Sequence, residues 1–305
     1  MKPQIETKGP RFATGAAVAV ALAITLAPPI AAQASLPAPT APPVTQAPPS
    51  YSLTELDRIV SPIALYPDPL LGQVLTAATY PADIPDAARW ADDHHYLIDK
   101  RLTDAMAADH VPWNPAVQAL LPFAGVLEMM ASDMPWTQEL GDAFLADPNG
   151  VMDAVQRMRQ KAWGYGYLGG CAPLIIHSGP FVEILPDDPA FIVVPYYDPA
   201  IVFFPPRPGF VVGQAVYCGF GIRLGAWFGP WGWGTTRFVW ANHGLIINNE
   251  AWRRTWPNRA TYVHPSSVPK FGAPRPPERH PVRPRTPAER AGERPTSPRG
   301  RESQR

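Results

Sequence analysis

The chain has 305 residues and carries 26 basic and 26 acidic side chains, so its formal net charge is zero. Hydrophobic residues make up 46% of it, which excludes a chain that is disordered throughout. Its 41 prolines are nearly three times the usual share of about 5%, but no Gly-X-Y period or cysteine-rich framework accompanies them, which excludes collagen-like and disulfide-scaffold proteins.

Residues 1–34 have the pattern of a secretory signal peptide. Basic residues precede an apolar run over Phe12–Ala27, near the ~7–15 residues of a signal's hydrophobic region, and an A-x-A site follows at Ala32–Ala34. We predict cleavage after Ala34. Two prolines end the run before the ~20 residues that a spanning helix needs, so an uncleaved membrane anchor is the weaker alternative. The sequence therefore predicts an exported protein.

Charge is unevenly distributed along the rest of the chain. Residues 51–160 carry six basic and 16 acidic side chains, whereas residues 270–305 carry ten basic and four acidic ones. Composition therefore divides the mature chain into four segments. We predict a Pro-rich linker over 35–50, a helical domain over 51–168, a small β and Gly/Trp-rich domain over 169–264, and a disordered basic Pro/Arg tail over 265–305.

The acidic segment has the signals of several short helices. A capping box over Ser52–Glu55 predicts a helix through Val60. Asp68-Pro69 and Asn114-Pro115 each place a capping residue before a proline at the first helical position. The apolar spacing predicts helices that each bury one face, with the face residues Leu70, Leu71, Val74, Leu75 and Ala78 in one helix, and Val151, Val155 and Met158 in another.

The following segment changes to β-type patterns. Phe181–Leu185, Phe191–Val194 and Ile201–Phe204 are β-branched or aromatic runs between turn residues, which predicts a small antiparallel meander. Phe238–Asn249 has the pattern of a hairpin that turns at Asn242-His243-Gly244. The predicted fold class is α+β, an orthogonal all-α helical domain followed by a small antiparallel β/Gly-aromatic segment, with disordered Pro-rich flanks.

The chain has two cysteines, Cys171 and Cys218. In an oxidising compartment such a pair is a disulfide candidate. A disulfide that closes the loop between Cys171 and Cys218 would stabilise the fold by about 4 kcal/mol in the chain-entropy model, because it restricts the unfolded chain. Two buried free thiols are the alternative. The sequence contains no C-x-x-C motif, so it does not favour a redox-active pair.

Several long strings resemble a bacterial exported family known only as domain-of-unknown-function family 3300. The strings are Leu56–Leu71, Ala87–Trp90, Trp136–Leu145 and Val151–Arg157, then Pro186–Pro189 and Val194–Pro199. The resemblance covers roughly residues 53–205, with a weaker similarity to about residue 263. It implies a protein of the periplasm or outer envelope of a Gram-negative bacterium, and it implies no catalytic residue.

Three groups of polar residues are candidates for catalysis or metal binding. Asp92–His95 has adjacent histidines, which on a helix point about 100° apart, so a solvated loop is favoured over a metal site. His177-Ser178 lacks a nucleophile elbow. Asp187 and Asp188 resemble an acid/base pair, but their position between two prolines favours a turn. We therefore predict no catalytic residue, metal ligand or cofactor.

Aromatic residues give the stronger signal for binding. Six tryptophans crowd into 30 residues: Trp227, Trp231, Trp233, Trp240, Trp252 and Trp256. Exposed aromatic rings can stack on sugars or partner surfaces, and the segment looks too small to bury all six. A compact aromatic core is the alternative.

The arginine-rich tail predicts salt-sensitive contact with an anionic envelope surface, or with the acidic domain of another copy. Export argues against a nucleic-acid partner. The alternative role for the tail is simply to keep the protein in solution. Gly213, Gly221, Gly225 and Gly229 follow a four-residue spacing that would suit close helix packing. Charged and polar residues interrupt that run, which makes a spanning helix in the mature protein unexpected.

The sequence thus predicts an exported cell-envelope protein, more a non-catalytic interaction or scaffold module than an enzyme. Its expected partners are peptidoglycan, another envelope glycan or an envelope protein. The alternatives are a peptidoglycan-directed hydrolase and a membrane-associated assembly factor.

Overall fold

The computed structural model describes residues 46–170, 174–209, 215–219 and 221–266. Helices come first in the chain and small antiparallel sheets follow, so the predicted α+β class is confirmed. The helices of the described residues are α1 (Leu53–Val60), α2 (Asp68–Ala78), α3 (Ile84–Asp93), α4 (Asp99–Ala108), α5 (Pro115–Gln118), α6 (Ala124–Ser132), α7 (Met134–Ala146), α8 (Pro148–Gly164) and α9 (Pro199–Val202).

The strands pair into four small sheets, all antiparallel: β1 with β2, β3 with β6, β4 with β5, and β7 with β8 and β9. Their bounds are β1 (Leu174–Ser178), β2 (Val182–Pro186), β3 (Phe191–Ile192), β4 (Pro195–Tyr197), β5 (Val216–Cys218), β6 (Ile222–Arg223), β7 (Arg237–Val239), β8 (Gly244–Ile247) and β9 (Glu250–Ala251).

Two of the predicted helix starts are confirmed. The Ser52 hydroxyl accepts from the Glu55 amide at 3.3 Å, while the Ser52 amide donates to the Glu55 carboxylate at 2.7 Å, which completes the capping box of α1. The Asn114 side chain accepts from the amide of Ala116 at 3.0 Å and caps α5. In both cases the cap satisfies helix amides that lack an intrahelical partner.

The prediction that Asp68 caps α2 is wrong. Pro67 occupies the cap position, and Asp68 is the first helical residue with its side chain turned into the interior. The single buried face expected for α2 is also wrong, because ten of its 11 residues are buried. It packs against α5 and α7, and also against β2 and β7, so later parts of the chain cover its remaining surface.

The predicted strand at Ile201–Phe204 is wrong, because the chain forms α9 there. The Asp198 side chain accepts from the amide of Ala200 at 2.8 Å, and Pro199 follows the cap, so local capping overrides the β-type composition. The meander does not form, since β3 and β4 pair with strands further along the chain. The predicted hairpin is confirmed as β7 and β8, with His243 in the left-handed region at the turn.

The helices and the sheets share one hydrophobic core, which extends from Leu56 to Ile247. At its centre the fully buried guanidinium of Arg159 on α8 donates to the carboxylate of Asp68 at 2.6 Å. It also donates to the carbonyl oxygens of Ala64, Tyr66 and Val182 at 2.8 to 2.9 Å. This residue therefore holds α2, α8, β2 and the loop before α2 in fixed relation.

Several predictions fall outside the described residues. They are the signal peptide with its cleavage after Ala34, most of the linker, and the tail beyond Ser266. Cys218 ends β5, but Cys171 lies outside the described residues, so the disulfide stays a prediction. No helix among the described residues is long and apolar enough to cross a membrane.

Candidate binding surface

The six tryptophans of the Trp-rich segment do not share one exposed surface. Trp231, Trp233, Trp240 and Trp256 are buried, Trp252 is half-buried, and Trp227 is 49% exposed. The exposed rings are therefore too few to form a continuous platform.

The buried tryptophans of the Trp-rich segment pack against residues of the helical part. Three indole N–H groups donate across to the helical part: Trp231 to the Gln118 side chain at 3.0 Å, Trp233 to the Ala119 carbonyl at 2.9 Å, and Trp240 to the Asp68 carboxylate at 3.0 Å. A buried indole that keeps its N–H bonded adds both apolar area and orientation. These tryptophans fasten the two parts of the chain together.

The residues weighed for metal binding lie at the end of α3. His94 stacks on Trp90 with ring centroids 4.0 Å apart, and its Nδ1 lies 2.8 Å from the Trp90 carbonyl oxygen. Its Nε2 is 3.6 Å from the Asp109 carboxylate. Within the described ranges, no three side chains of His, Cys, Asp or Glu are grouped to hold a metal ion.

The two other polar candidates lie on or beside strands. His177 and Ser178 belong to β1, and the placement of their side chains is outside the described structure. Asp187 and Asp188 form the turn after β2, where the Asp188 carboxylate accepts from the Ala190 amide at 2.9 Å and lies 3.8 Å from Arg223. Asp188 therefore serves the turn.

A pocket of about 300 Å³ opens between the start of α6 and the β4–β5 sheet. Every side chain that lines it is apolar or a tyrosine: Pro62, Tyr66, Phe123, Ala124, Val126, Met129, Val194, Pro195, Tyr196, Tyr197, Pro199 and Ile222, with Gly125 completing the wall. Ligand sites are commonly concave and mostly apolar in this way.

A pair of exposed tyrosines lies beside this pocket, and one of them, Tyr196, lines it. Tyr196 and Tyr217 are directly opposite each other in the β4–β5 register, and their rings stack with centroids 5.5 Å apart and planes 20° from parallel. They are 49% and 61% exposed. Such a pair on an exposed sheet face presents a flat, preformed aromatic surface, which we call the tyrosine face.

Two inward-facing tyrosines, the half-buried Tyr197 and the buried Tyr66, lie beneath the tyrosine face. The Tyr197 hydroxyl donates to the Ser61 carbonyl at 2.9 Å and accepts from the Leu65 amide at 3.2 Å, which ties β4 to the loop between α1 and α2. Burial raises the pKa of Tyr197 well above its usual value, and burial likewise raises the pKa of Tyr66. Both hydroxyls therefore stay protonated at neutral pH.

Sequence reasoning missed the tyrosine face. Tyr196 and Tyr197 appeared only within a string that resembles a family, and Tyr217 was not singled out. The alternation along β4, with Tyr196 exposed and Tyr197 directed inward, was the available signal. The pairing with Tyr217 depends on a strand register that composition does not reveal.

Comparison with known proteins places the chain in a family. The family model described as "Protein of unknown function (DUF3300)" matches residues 52–264, which is more than half of the chain. An uncharacterized protein of Escherichia coli K12, YacH, is 32% identical over 233 residues, covering 61% of this chain and 37% of that protein. The chain thus matches little more than a third of the length of this relative. No solved structure matches. The chain belongs to the DUF3300 family.

Proposed function

We propose that this protein is an exported, non-catalytic interaction module of the bacterial cell envelope. In this proposal the tyrosine face binds another envelope component, while the buried tryptophans keep the module folded. The partner is an envelope protein or glycan.

The observation that carries the proposal is the exposure of a preformed aromatic surface beside a pocket whose described lining contains no carboxylate, histidine, lysine, serine or cysteine. Tyr196 and Tyr217 together present two stacked, half-exposed rings, although many other large aromatic side chains of the fold are buried. Exposed aromatic residues beside an apolar pocket are characteristic of contact surfaces. Hydrolases commonly use a carboxylate, a histidine or an activated nucleophile, whereas tyrosines are the only ionisable side chains in the described lining of this pocket.

Export is supported by the sequence before Ser35 and by the cysteine usage. The basic start, apolar run and A-x-A site predict a signal peptide, and a cysteine pair is compatible with an oxidising compartment. Cell fractionation and N-terminal sequencing of the mature protein test this part, with Ser35 expected as the first residue. A mature chain that retains Met1 in the cytoplasmic fraction would contradict it.

Binding is tested by cosedimentation of the purified full chain with envelope fragments and with protein-stripped peptidoglycan sacculi. We expect the double variant Tyr196→Ser, Tyr217→Ser to lose at least fivefold in the bound fraction. The matched control is Tyr96→Ser, because Tyr96 is 66% exposed but does not line the pocket. It should bind as the wild type does.

The two preparations separate the two kinds of partner. Binding to the complete fragments alone indicates an envelope protein, whereas binding to stripped sacculi indicates glycan. Equal sedimentation of the double variant and the wild type would refute the tyrosine face as the binding site. Release of soluble muropeptides by the wild type would refute a non-catalytic role.

A further inference from the structure

The apolar pocket at the tyrosine face belongs to a longer groove. Ile222 lines this pocket and also a second, neighbouring pocket. Phe191 lines that second pocket as well. In the other direction Pro199 begins α9, and a third pocket beside this helix is lined by Ile201 and the 59% exposed Phe204. The outer pockets also hold charged side chains, Asp198 and Arg207 in one and Asp99 and Arg223 in the other. A groove of three adjoining pockets fits an extended occupant better than a compact one.

The chemistry of the central pocket favours a proline-rich peptide over a sugar chain. Sugar hydroxyls need polar side chains as partners, but the tyrosine hydroxyls that reach inward are already engaged. The Tyr197 hydroxyl forms hydrogen bonds with the main chain of Ser61 and Leu65. The Tyr66 hydroxyl contacts the sulfur of Met129 at 3.6 Å. Polyproline II segments instead bind between aromatic ridges and require few side-chain hydrogen bonds.

We propose that the occupant of this groove is the Pro/Arg-rich segment 267–305 of the same chain. This segment has nine prolines, and its last 36 residues carry ten basic and four acidic side chains. The helical part over 51–160 carries 16 acidic and six basic side chains, so the two are complementary in charge. Two carboxylates line the outer pockets of the groove, the exposed Asp198 before α9 and the half-buried Asp99 at the start of α4.

The segment is long enough to reach the groove from Ser266. Its 39 residues span roughly 120 Å at about 3.1 Å per residue in the polyproline II form. A folded unit of this size is roughly 45 Å across. A tethered segment has an effective concentration of about 1 mM, which favours docking within one chain over docking between copies. An outside partner must then displace the segment from the tyrosine face.

Site-specific photo-cross-linking tests the identity of the occupant. A benzoylphenylalanine placed at position 217 in the purified full chain is activated, and the adducts are mapped by mass spectrometry. We expect intrachain adducts within residues 267–305. Adducts only to other segments, or only between two copies, would overturn the proposal. The purified chain holds no envelope partner, so this outcome is independent of the proposed function.

Trypsin protection measures the occupancy. Arg279, Arg285 and Arg290 are each followed by a residue other than proline, so trypsin can cut there. With a dissociation constant of about 0.1 mM between segment and groove and an effective concentration of about 1 mM, docked segments outnumber free ones about ten to one. Docking should then slow cutting of the segment about tenfold. The double variant Tyr196→Ser, Tyr217→Ser should therefore be cut about ten times faster than the wild type.

Two further variants of the full chain keep this test decisive. Trp163→Ser should be cut at the wild-type rate, because Trp163 is 45% exposed but lines none of the three pockets. The triple variant Pro274→Ser, Pro277→Ser, Pro281→Ser leaves the folded part untouched, creates no new trypsin site and should also lose the protection. Wild-type cutting rates in both the tyrosine and the proline variants would overturn the proposal.

Discussion

Replacement of Arg159 by methionine should strongly destabilise the fold. The guanidinium is fully buried and makes four hydrogen bonds, one to the Asp68 carboxylate and three to main-chain carbonyls. Methionine fills part of the volume but leaves a buried carboxylate and three carbonyls without these donors. Asp68 would keep its indole donor, Trp240, at 3.0 Å.

The expected loss in the free energy of unfolding is about 3–5 kcal/mol, the usual range for removing one partner of a buried ion pair. With an m-value of about 2–3 kcal/mol/M in urea, this loss lowers the unfolding midpoint by about 1–2.5 M. The assay is equilibrium urea unfolding of the mature chain, followed by tryptophan fluorescence and by circular dichroism.

Arg157 provides a matched control on the same helix. Its guanidinium lies 2.7 Å from the Asp57 carboxylate, but the side chain is 30% exposed. Arg157→Met should therefore reduce the free energy of unfolding by about 1 kcal/mol or less. A midpoint for Arg159→Met within about 0.3 M of the control, at about the same m-value, would refute the view that Arg159 organises the core.

Three other predictions concern packing, pH and oxidation. Gly141→Ala should destabilise the fold by at least about 2 kcal/mol in urea unfolding, because its new Cβ would lie 2.0 Å from the Ala78 carbonyl oxygen; a wild-type midpoint would contradict this contact. Burial, and to a lesser extent a neighbouring arginine, lowers the pKa of His264 from 6.5 to about 4. As the pH falls, the unfolded chain therefore takes up a proton at His264 at a higher pH than the folded chain does. The free energy of unfolding should then fall by up to about 3 kcal/mol from pH 6.5 to pH 4, and His264→Asn should reduce this dependence on pH. Cys171 and Cys218 should resist alkylation in the unfolded, unreduced chain and gain two adducts after reduction; two adducts without reductant would indicate free thiols.

Sequence signals succeeded where the partners are close in the chain. The capping box of Ser52 and Glu55, the cap at Asn114 and the hairpin through His243 each depend on residues a few positions apart. The same locality explains one failure. Ile201–Phe204 has strand composition, but the cap at Asp198 and the following proline start a helix.

The remaining failures involve distant partners. Asp68 has the sequence signature of a cap, yet its partners Arg159 and Trp240 lie 91 and 172 residues away. The burial of the tryptophans depends in the same way on helical residues such as Gln118, 113 positions before Trp231. Neither arrangement can be read from spacing or composition, because tertiary packing decides it.

The central claim is that the tyrosine face binds while the buried tryptophans hold the fold together. Its most direct test measures envelope binding and thermal stability on two double variants. Tyr196→Ser, Tyr217→Ser should lose binding with a thermal midpoint within about 2 °C of the wild type, because both side chains are largely exposed. Trp231→Phe, Trp233→Phe should lower the midpoint by about 4–12 °C through two lost buried hydrogen bonds, and should still bind below that temperature. The reverse pattern, with binding lost only in the tryptophan variant at an unchanged midpoint, would contradict the account.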